Sequence, residues 1–348
     1  MDLNLFINPE HPAGDDLGAR LAEHVEQVSI ARAAGYDGVA IGTHLSYSSS
    51  AWLPPFQTLV HLAPAASGMS LSTCMVVLPY YHPLQIAIDA AFADIVSGGR
   101  FTLGVSAGWA RDEFDILGLD LRERVGRFTE SVELITQLWS QDRVTAAGRF
   151  FHVDDASLAL RPLQRPRPPL WLGGSVIQSV QRAAELADTA LGDTWVASSH
   201  LSESVIVDQA RAFGDRLDTL GKPRPKDFPL LRNIVVAEDR ATAVREAGPY
   251  LAASYRVFGQ WGLFSDVVGD PKATGELPDL LAGRVIMGSP EECAESLVRL
   301  AQATGFTRLI ARVQWMGMEQ RIVTRTIELL ANEVMPLVGN ELGRSSTT

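Results

Sequence analysis

Ala34-Gly35-Tyr36-Asp37-Gly38-Val39-Ala40-Ile41-Gly42-Thr43-His44 contains the end of one helix, a tight turn and a short strand. Apolar residues at helical spacing precede it, at Leu21, Val25 and Val28. Gly35 follows that helix at the C′ position, where the left-handed conformation costs glycine little. Gly38–Ile41 is a run typical of a buried strand, and His44 comes just after its carboxyl end. The stretch therefore predicts one helix-to-strand connection of a βα protein.

The same rhythm recurs along the chain. Eight runs rich in β-forming residues stand at Leu3–Ile7, Gly38–Ile41, Leu71–Leu78, Phe101–Val105, Leu170–Leu172, Thr194–Ala197, Leu230–Ala237 and Arg308–Val313. Stretches with helical periodicity separate most of them, and parallel neighbours need such long crossovers. Eight is the number that closes an α/β (β/α)8 TIM barrel, which is the predicted fold. A doubly wound open sheet is the alternative.

Two insertions interrupt the rhythm within one predicted domain, residues 1–338. The first lies between strands four and five, at about 143–169, and combines a small hairpin with a proline-rich linker that runs directly into a strand. The second, about 256–284, precedes strand eight and is a candidate lid over a site. Ser289-Pro290-Glu291-Glu292 predicts a capped helix start, with that helix ending at Gly305. The polar tail, 339–348, is expected to be disordered.

Composition excludes several classes of function. The 348 residues carry 30 Lys+Arg against 41 Asp+Glu, a formal charge of −11, without a basic run that could track nucleic acid. No stretch approaches the roughly 20 apolar residues that cross a bilayer. Cys74 and Cys293 are too few for a disulfide framework and lack metal-ligand spacing, so both are expected to be reduced thiols. We expect a soluble, cytoplasmic protein that binds neither nucleic acid nor membranes.

The active site of such a barrel lies at the carboxyl ends of its strands. The residues there include no paired carboxylates and no cluster suited to a hydrolytic metal. Gly173-Gly174-Ser175, after strand five, suits a phosphate, although a tight turn with a helix-capping Ser175 is the simpler interpretation of these three residues taken alone. Aromatic residues near the same ends suit a flat ligand. They are Tyr80, Tyr81, Trp109, Trp195 and Trp315.

Several segments together resemble one known family. They are Ala34–Val39 leading to His44, Leu78-Pro79 with His82-Pro83, Ser97–Phe101 into Gly104–Trp109, Asp112-Glu113-Phe114 with Gly118, Gly288–Cys293, and Val334-Met335-Pro336. In this order and spacing the chain resembles the bacterial luciferase-like flavin-dependent monooxygenases, over about residues 3–338. The resemblance implies a TIM barrel that binds reduced FMN, or deazaflavin F420 in a sister branch. In the monooxygenases a separate flavin reductase supplies the reduced flavin, which reacts with O₂ to a C4a-hydroperoxyflavin that oxygenates a small organic substrate.

The resemblance also implies roles for individual residues. The flavin would rest on a non-prolyl cis peptide at Cys74-Met75, with Ser106 near its reactive edge and Trp195 beside its ring. The cofactor phosphate would lie at Gly173, Gly174, Ser175 and Gln178. His44 would be the catalytic general base or proton donor.

Three positions depart from the family pattern. Thr43 replaces a carboxylate before the histidine, and Ala107 and Val125 replace arginines that contact the phosphate. Arg124 or Arg127 is a candidate to compensate. The leading hypothesis is a two-component FMN-dependent monooxygenase, expected to be a homodimer. The alternatives are an F420-dependent dehydrogenase or reductase and a non-catalytic flavin-binding protein.

Overall fold

A computed structural model of the chain describes residues 1–45, 50–260, 281 and 283–345. Its strands, in chain order, are β1 Asp2–Ile7, β2 Glu10–Pro12, β3 Gly38–Ile41, β4 Ser50–Trp52, β5 Ser70–Thr73, β6 Val76–Val77, β7 Phe101–Ser106, β8 Val144–Ala147, β9 His152–Ala156, β10 Leu170–Gly173, β11 Thr194–Val196, β12 Pro229–Val236, β13 Val285–Gly288 and β14 Arg308–Arg312. All eight predicted strands are present within these bounds or close to them.

The main sheet is parallel and curled. Its order is β11-β10-β7-β5-β3-β1-β14-β12-β13, with β6 paired to β7. The first and last strands are neighbours in this order, because β1 pairs with both β3 and β14. Ala197, just after β11, forms an isolated parallel bridge with Leu230 of β12, which joins the remaining edges of the eight predicted strands. The predicted TIM-barrel fold is confirmed.

Helices cover the outside of this sheet. They are α1 Leu17–Ala33, α2 Pro55–Leu62, α3 Pro83–Val96, α4 Arg111–Ile116, α5 Arg124–Ser140, α6 Ile177–Leu186, α7 Glu203–Thr219, α8 Arg240–Gln260, α9 Pro290–Thr304, α10 Gln320–Leu329 and α11 Met335–Ser345. Gly35 follows α1 with a φ of 89°, as the sequence predicts. Ser289 and Glu292 form a reciprocal capping box at the start of α9, which ends at left-handed Gly305. These local signals fix where the helices begin and end.

The first insertion contains the predicted hairpin, formed by antiparallel β8 and β9. The linker that follows is fastened to the barrel by Asp94, a buried residue of α3. One oxygen of Asp94 accepts hydrogen bonds from the backbone N–H groups of Leu163, at 2.7 Å, and Gln164, at 3.0 Å. The proline-rich segment is therefore part of the fold.

Three details differ from the sequence-based expectations. The third predicted strand is split into β5 and β6 at Cys74-Met75. Strand β13 was not predicted, because four residues just before a strong helix cap give little pattern. The tail is helical as far as Ser345, because Val338 and Leu342 lie one helical turn apart and pack against the core. Most of the candidate lid, at 261–280 and 282, lies outside the described residues.

Candidate functional site

A cavity of about 500 Å³ opens at the carboxyl ends of the barrel strands. This volume is in the usual range for a small-molecule or cofactor site. Its walls include almost every residue that the sequence singled out, namely His44, Cys74, Met75, Ser106, Gly173, Gly174, Ser175 and Gln178. These residues come from the ends of four different strands, which the closed sheet brings together. A buried cluster that includes Phe6, Cys74 and Val196 contributes to the same walls.

Trp195 is the exception, and its predicted place beside a flavin ring is wrong. The indole is fully buried, packs at a centroid distance of 6.0 Å from both Phe213 and Phe228, and does not line the cavity. Its neighbour Val196 lines the cavity instead, as the alternation of side chains along a strand requires. Trp195 still supports the site indirectly, because its Nε1 donates a 2.9 Å hydrogen bond to the carbonyl of Gly174.

The glycine turn after β10 allows a close approach of backbone to ligand. A Cβ on Gly174 would lie 2.6 Å from the hydroxyl oxygen of Ser179, so the turn does not tolerate a side chain there. Helix α6 begins at Ile177, and Ser179 forms the hydrogen bonds with Val176 that fix this start. Ser175 therefore lies before the helix and is not its N-cap, contrary to the simpler sequence interpretation. It lines the cavity beside the positive end of α6.

Two arginines line the same cavity as this turn. Arg124, the first residue of α5, and Arg182 of α6 are both half-buried. Within the described ranges, neither forms an ion pair with a carboxylate, whereas Arg127 pairs with Glu123 and lies over the ring of Phe150. Of the two candidates to replace the missing family arginines, Arg124 is therefore the one that faces the cavity. The glycine turn and these two cations form one cationic, anion-accepting end, which we call the phosphate end.

The middle of the cavity is formed by the break between β5 and β6. The peptide bond between Cys74 and Met75 is cis, as the resemblance implies. Gly173 leaves room beside it, because a Cβ at that position would lie 3.1 Å from the Cγ of Met75 and 3.3 Å from the Cβ of Ser106. Burial raises the pKa of the Cys74 thiol to about 12, so this cysteine is neutral at ordinary pH. The surface here is apolar apart from the Ser106 hydroxyl.

His44 lies beyond the middle and is held by a carboxylate. Its Nδ1 is 3.1 Å from both carboxylate oxygens of Glu113, and its ring lies edge-on to Trp52 at 4.8 Å and to Trp109 at 6.0 Å. A carboxylate at Nδ1 fixes the tautomer that carries its proton there and leaves Nε2 as the acceptor. The side chain retains 17% exposure, so a ligand in the cavity can reach it.

Glu113 is the functional residue that sequence reasoning missed. It is buried on α4, and it also accepts hydrogen bonds from the backbone N–H of Leu45, at 2.6 Å, and the hydroxyl of Tyr80, at 2.7 Å. Burial raises the pKa of Glu113, but the hydrogen bonds from these groups and from His44 outweigh it, and the net pKa lies below its usual value. Glu113 thus stays ionised and supplies the carboxylate that Thr43 does not. The only signal was its place in the Asp112-Glu113-Phe114 motif.

Other kinds of site find no support among the described residues. They contain no group of three or more His, Cys, Asp or Glu side chains placed to hold a metal ion. Within the same ranges, none of the helices combines the length and apolar character that a membrane span requires.

The family model for luciferase-like monooxygenases matches residues 1–308. The chain belongs to this family. It is 29% identical to the 4-hydroxyprotoasukamycin monooxygenase of Streptomyces nodosus subsp. asukaensis, over 97% of this chain and 92% of that protein. It is 25% identical to the oxygenase component of the flavin-dependent trigonelline monooxygenase of Acinetobacter baylyi, over 97% of this chain and 95% of that one.

Among solved structures, the monooxygenase RslO1 of Streptomyces bottropensis superposes with a TM-score of 0.83 at 22% identity, covering 97% of this chain and 99% of that chain. This likeness supports the barrel fold. Family membership confirms the enzyme class expected from the sequence, a flavin-dependent oxidoreductase of the luciferase-like monooxygenase type.

Proposed function

We propose that this luciferase-like enzyme is the oxygenase component of a two-component monooxygenase, which takes reduced FMN from a separate reductase and uses O₂ to oxygenate a small organic molecule. One observation carries the proposal. A single cavity joins an anion-accepting end, at Gly174, Arg124 and Arg182, to His44, whose Nδ1 is held by the carboxylate of Glu113. The first suits a flavin phosphate and the second suits proton transfer at the substrate.

The residues present fit FMN along the whole cavity. The backbone at Gly174, the hydroxyl of Ser175 and the side chain of Gln178 would hold the phosphate, with Arg124 and Arg182 supplying positive charge. The flat surface at Met75 and the space left by Gly173 would take the ring system, with Ser106 at its edge. Bound reduced FMN would supply the electrons that activate O₂.

The chain's own contribution to the chemistry is proton transfer and enclosure. With its Nδ1 proton held by Glu113, His44 presents Nε2 to accept a proton from the substrate or from water and to return it later. Phe6, Trp52 and Phe258 give this part of the cavity apolar walls, which limit the access of water to the reacting groups. Both effects favour transfer of oxygen to the substrate over wasteful release of peroxide.

The main alternative is an F420-dependent dehydrogenase or reductase. The long acidic tail of F420 would need a row of basic residues continuing outward from the phosphate end. Arg124 and Arg182 are the cations that line this end in the described part of the chain, and Arg127 is directed elsewhere. Two arginines at this end suit the single phosphate of FMN better than the long acidic tail of F420.

A direct experiment separates the candidates. The purified protein is titrated with reduced FMN and with F420 under anaerobic conditions, and each complex is then mixed with O₂ in a stopped-flow spectrometer. We expect micromolar or tighter binding of reduced FMN and, after mixing, a transient spectrum distinct from both reduced and oxidised FMN. Tight binding of F420 with no oxygen-dependent transient would contradict the proposal and favour the dehydrogenase. Binding of FMN without any change in its reaction with O₂ would favour the non-catalytic flavin-binding protein.

His44 is tested within the same system. The His44→Ala variant should keep its affinity for reduced FMN, since the phosphate end is untouched, while substrate turnover falls by roughly 10²- to 10⁴-fold. Unchanged turnover would remove His44 from the mechanism.

A further inference from the structure

The wall of the cavity formed by the last barrel strand contains a buried arginine that the proposed chemistry does not use. Arg312 is the final residue of β14 and lies opposite Phe6 on β1 and Asn233 on β12. It is only 6% exposed, and it lines the same cavity as His44. The phosphate end lies across the barrel, after β10, so Arg312 and the phosphate end occupy different parts of the site.

The protein provides few partners for this guanidinium group. Its Nη2 lies 3.5 Å from the side-chain oxygen of Asn8, at the limit of a hydrogen bond, and its Nε has no hydrogen-bond partner among the residues that the structure describes. Three aromatic rings surround it, with centroids 5.9 Å away at Phe6, 6.0 Å at Phe258 and 5.8 Å at Trp315. A guanidinium group has five N–H donors, and most of these donors are therefore available to a ligand.

Glu10, a carboxylate on β2, compensates this charge only in part. Glu10 is buried and attracts Arg312 electrostatically, but no oxygen of Glu10 lies within 4.0 Å of its nitrogens, and Glu10 contacts Ser50 instead, at 3.3 Å. The two groups therefore do not form a close pair, and burial raises the pKa of Glu10 in spite of Arg312. Burying an arginine without a close counter-ion is unfavourable, and a ligand that brings an anionic oxygen would offset this cost.

We propose that Arg312 anchors the substrate and that the substrate carries an anionic oxygen of the carboxylate type. A carboxylate forms two parallel hydrogen bonds with a guanidinium, and the three rings would pack against the apolar body of the molecule. The anchored group would lie on the β14 side of the cavity, and the rest of the substrate would extend past His44 toward Met75. The negative net charge of the chain gives no hint of this preference, because it is set by the exposed surface.

This inference rests on the proposed function in one respect, because its test uses the FMN-loaded protein. Benzoate and benzamide, which differ in charge and little in shape, are titrated into that protein while the tryptophan fluorescence and the spectrum of bound FMN are followed. Benzoate should bind at least about tenfold more tightly than benzamide, as a charge-assisted pair requires. Arg312→Met should abolish the preference, Arg312→Lys should keep part of it, and Arg122→Met, at an exposed arginine, should leave it unchanged.

Three results would overturn the proposal. One is equal affinity of the wild-type protein for the two probes, and another is a preference for benzoate that survives in Arg312→Met. A third is a loss of FMN affinity in Arg312→Met and Arg312→Lys with the probe preference intact, which would assign the arginine to the flavin. Circular dichroism of each variant establishes that it folds. If the protein did not bind FMN at all, the titration of wild-type protein with FMN would show that separately, and the two probes would still report on Arg312 in the unloaded chain.

Discussion

Removing the two cations of the phosphate end is the perturbation that tests the cofactor assignment most directly. In the double variant Arg124→Met, Arg182→Met, methionine keeps much of the length of each side chain and removes its charge. Both side chains are half-buried and line the cavity. The start of α6 is held by the hydrogen bonds between Ser179 and Val176, so loss of the two arginines leaves the α6 N-terminus in place. The expected effect is therefore limited to the phosphate.

The magnitude follows from the number and exposure of the charges. A hydrogen bond to a charged group contributes about 1.5–3 kcal/mol, and partial exposure to solvent reduces this to about 1–1.5 kcal/mol for each arginine. Two such contacts give about 2–3 kcal/mol, which corresponds to a loss of roughly 30- to 150-fold in affinity for FMN. Riboflavin lacks the phosphate, so its affinity should change by less than about threefold.

Fluorescence titration with FMN and with riboflavin, at low and high salt, measures both affinities. The matched control is Arg127→Met, one turn along the same helix, where the side chain pairs with Glu123 and does not line the cavity. Equal losses for FMN and riboflavin in the double variant would show a general disturbance of the cavity. An unchanged FMN affinity would refute the assignment of the phosphate end.

Three further predictions concern stability. Replacing Glu113 by Ala leaves three hydrogen-bond donors without their acceptor and should lower the free energy of unfolding by about 2–4 kcal/mol in urea denaturation. Glu113→Gln should cost less, about 1 kcal/mol, because the amide oxygen can still accept from these donors; equal losses in the two variants would contradict this and show that an amide oxygen does not replace the carboxylate. In Gly104→Ala the new Cβ would lie 1.9 Å from the backbone oxygen of Thr73, because β5 and β7 approach closely there. The variant should lose about 3 kcal/mol of unfolding free energy or fail to fold, and a wild-type melting temperature would contradict this close approach. Burial lowers the pKa of both His11 and His24, whose Nε2 atoms are 3.2 Å apart, to about 4. Because the unfolded chain then binds more protons between about pH 6.5 and pH 4, stability falls as the pH falls through that window, by about 2 kcal/mol per histidine at pH 5. The double variant His11→Gln, His24→Gln should therefore show a loss between pH 7 and pH 5 that is smaller by about 2–4 kcal/mol in urea denaturation, and an undiminished loss would exclude this pair as its source.

Local chemistry explains why much of the fold could be predicted from the sequence. The Ser289–Glu292 capping box and Gly35 are signals that act within a few residues, and both are present as predicted. The strands could be placed because each is a short apolar run between helices. Gly174 could be singled out because two successive glycines after a strand are unusual without a close contact.

The errors share a different cause, which is that each depends on contacts between distant segments. Trp195 belongs to a three-residue strand, too short for an alternating pattern to show which side chain faces inward. Glu113 meets His44 only because helix α4 and the segment after β3 fold toward each other. Arg312 ends a strand that was recognised by its apolar residues, so the charged residue at its end attracted no notice. The packing of Leu342, which extends the last helix, likewise depends on the rest of the core.

The three contacts of Glu113 have a consequence for engineering the enzyme. One carboxylate ties α4 to the segment after β3, through His44 and Leu45, and to the segment after β6, through Tyr80. A chimera that imports any one of these segments from a relative would break the shared contact unless its donors matched. The three segments should therefore be exchanged together, as one cassette.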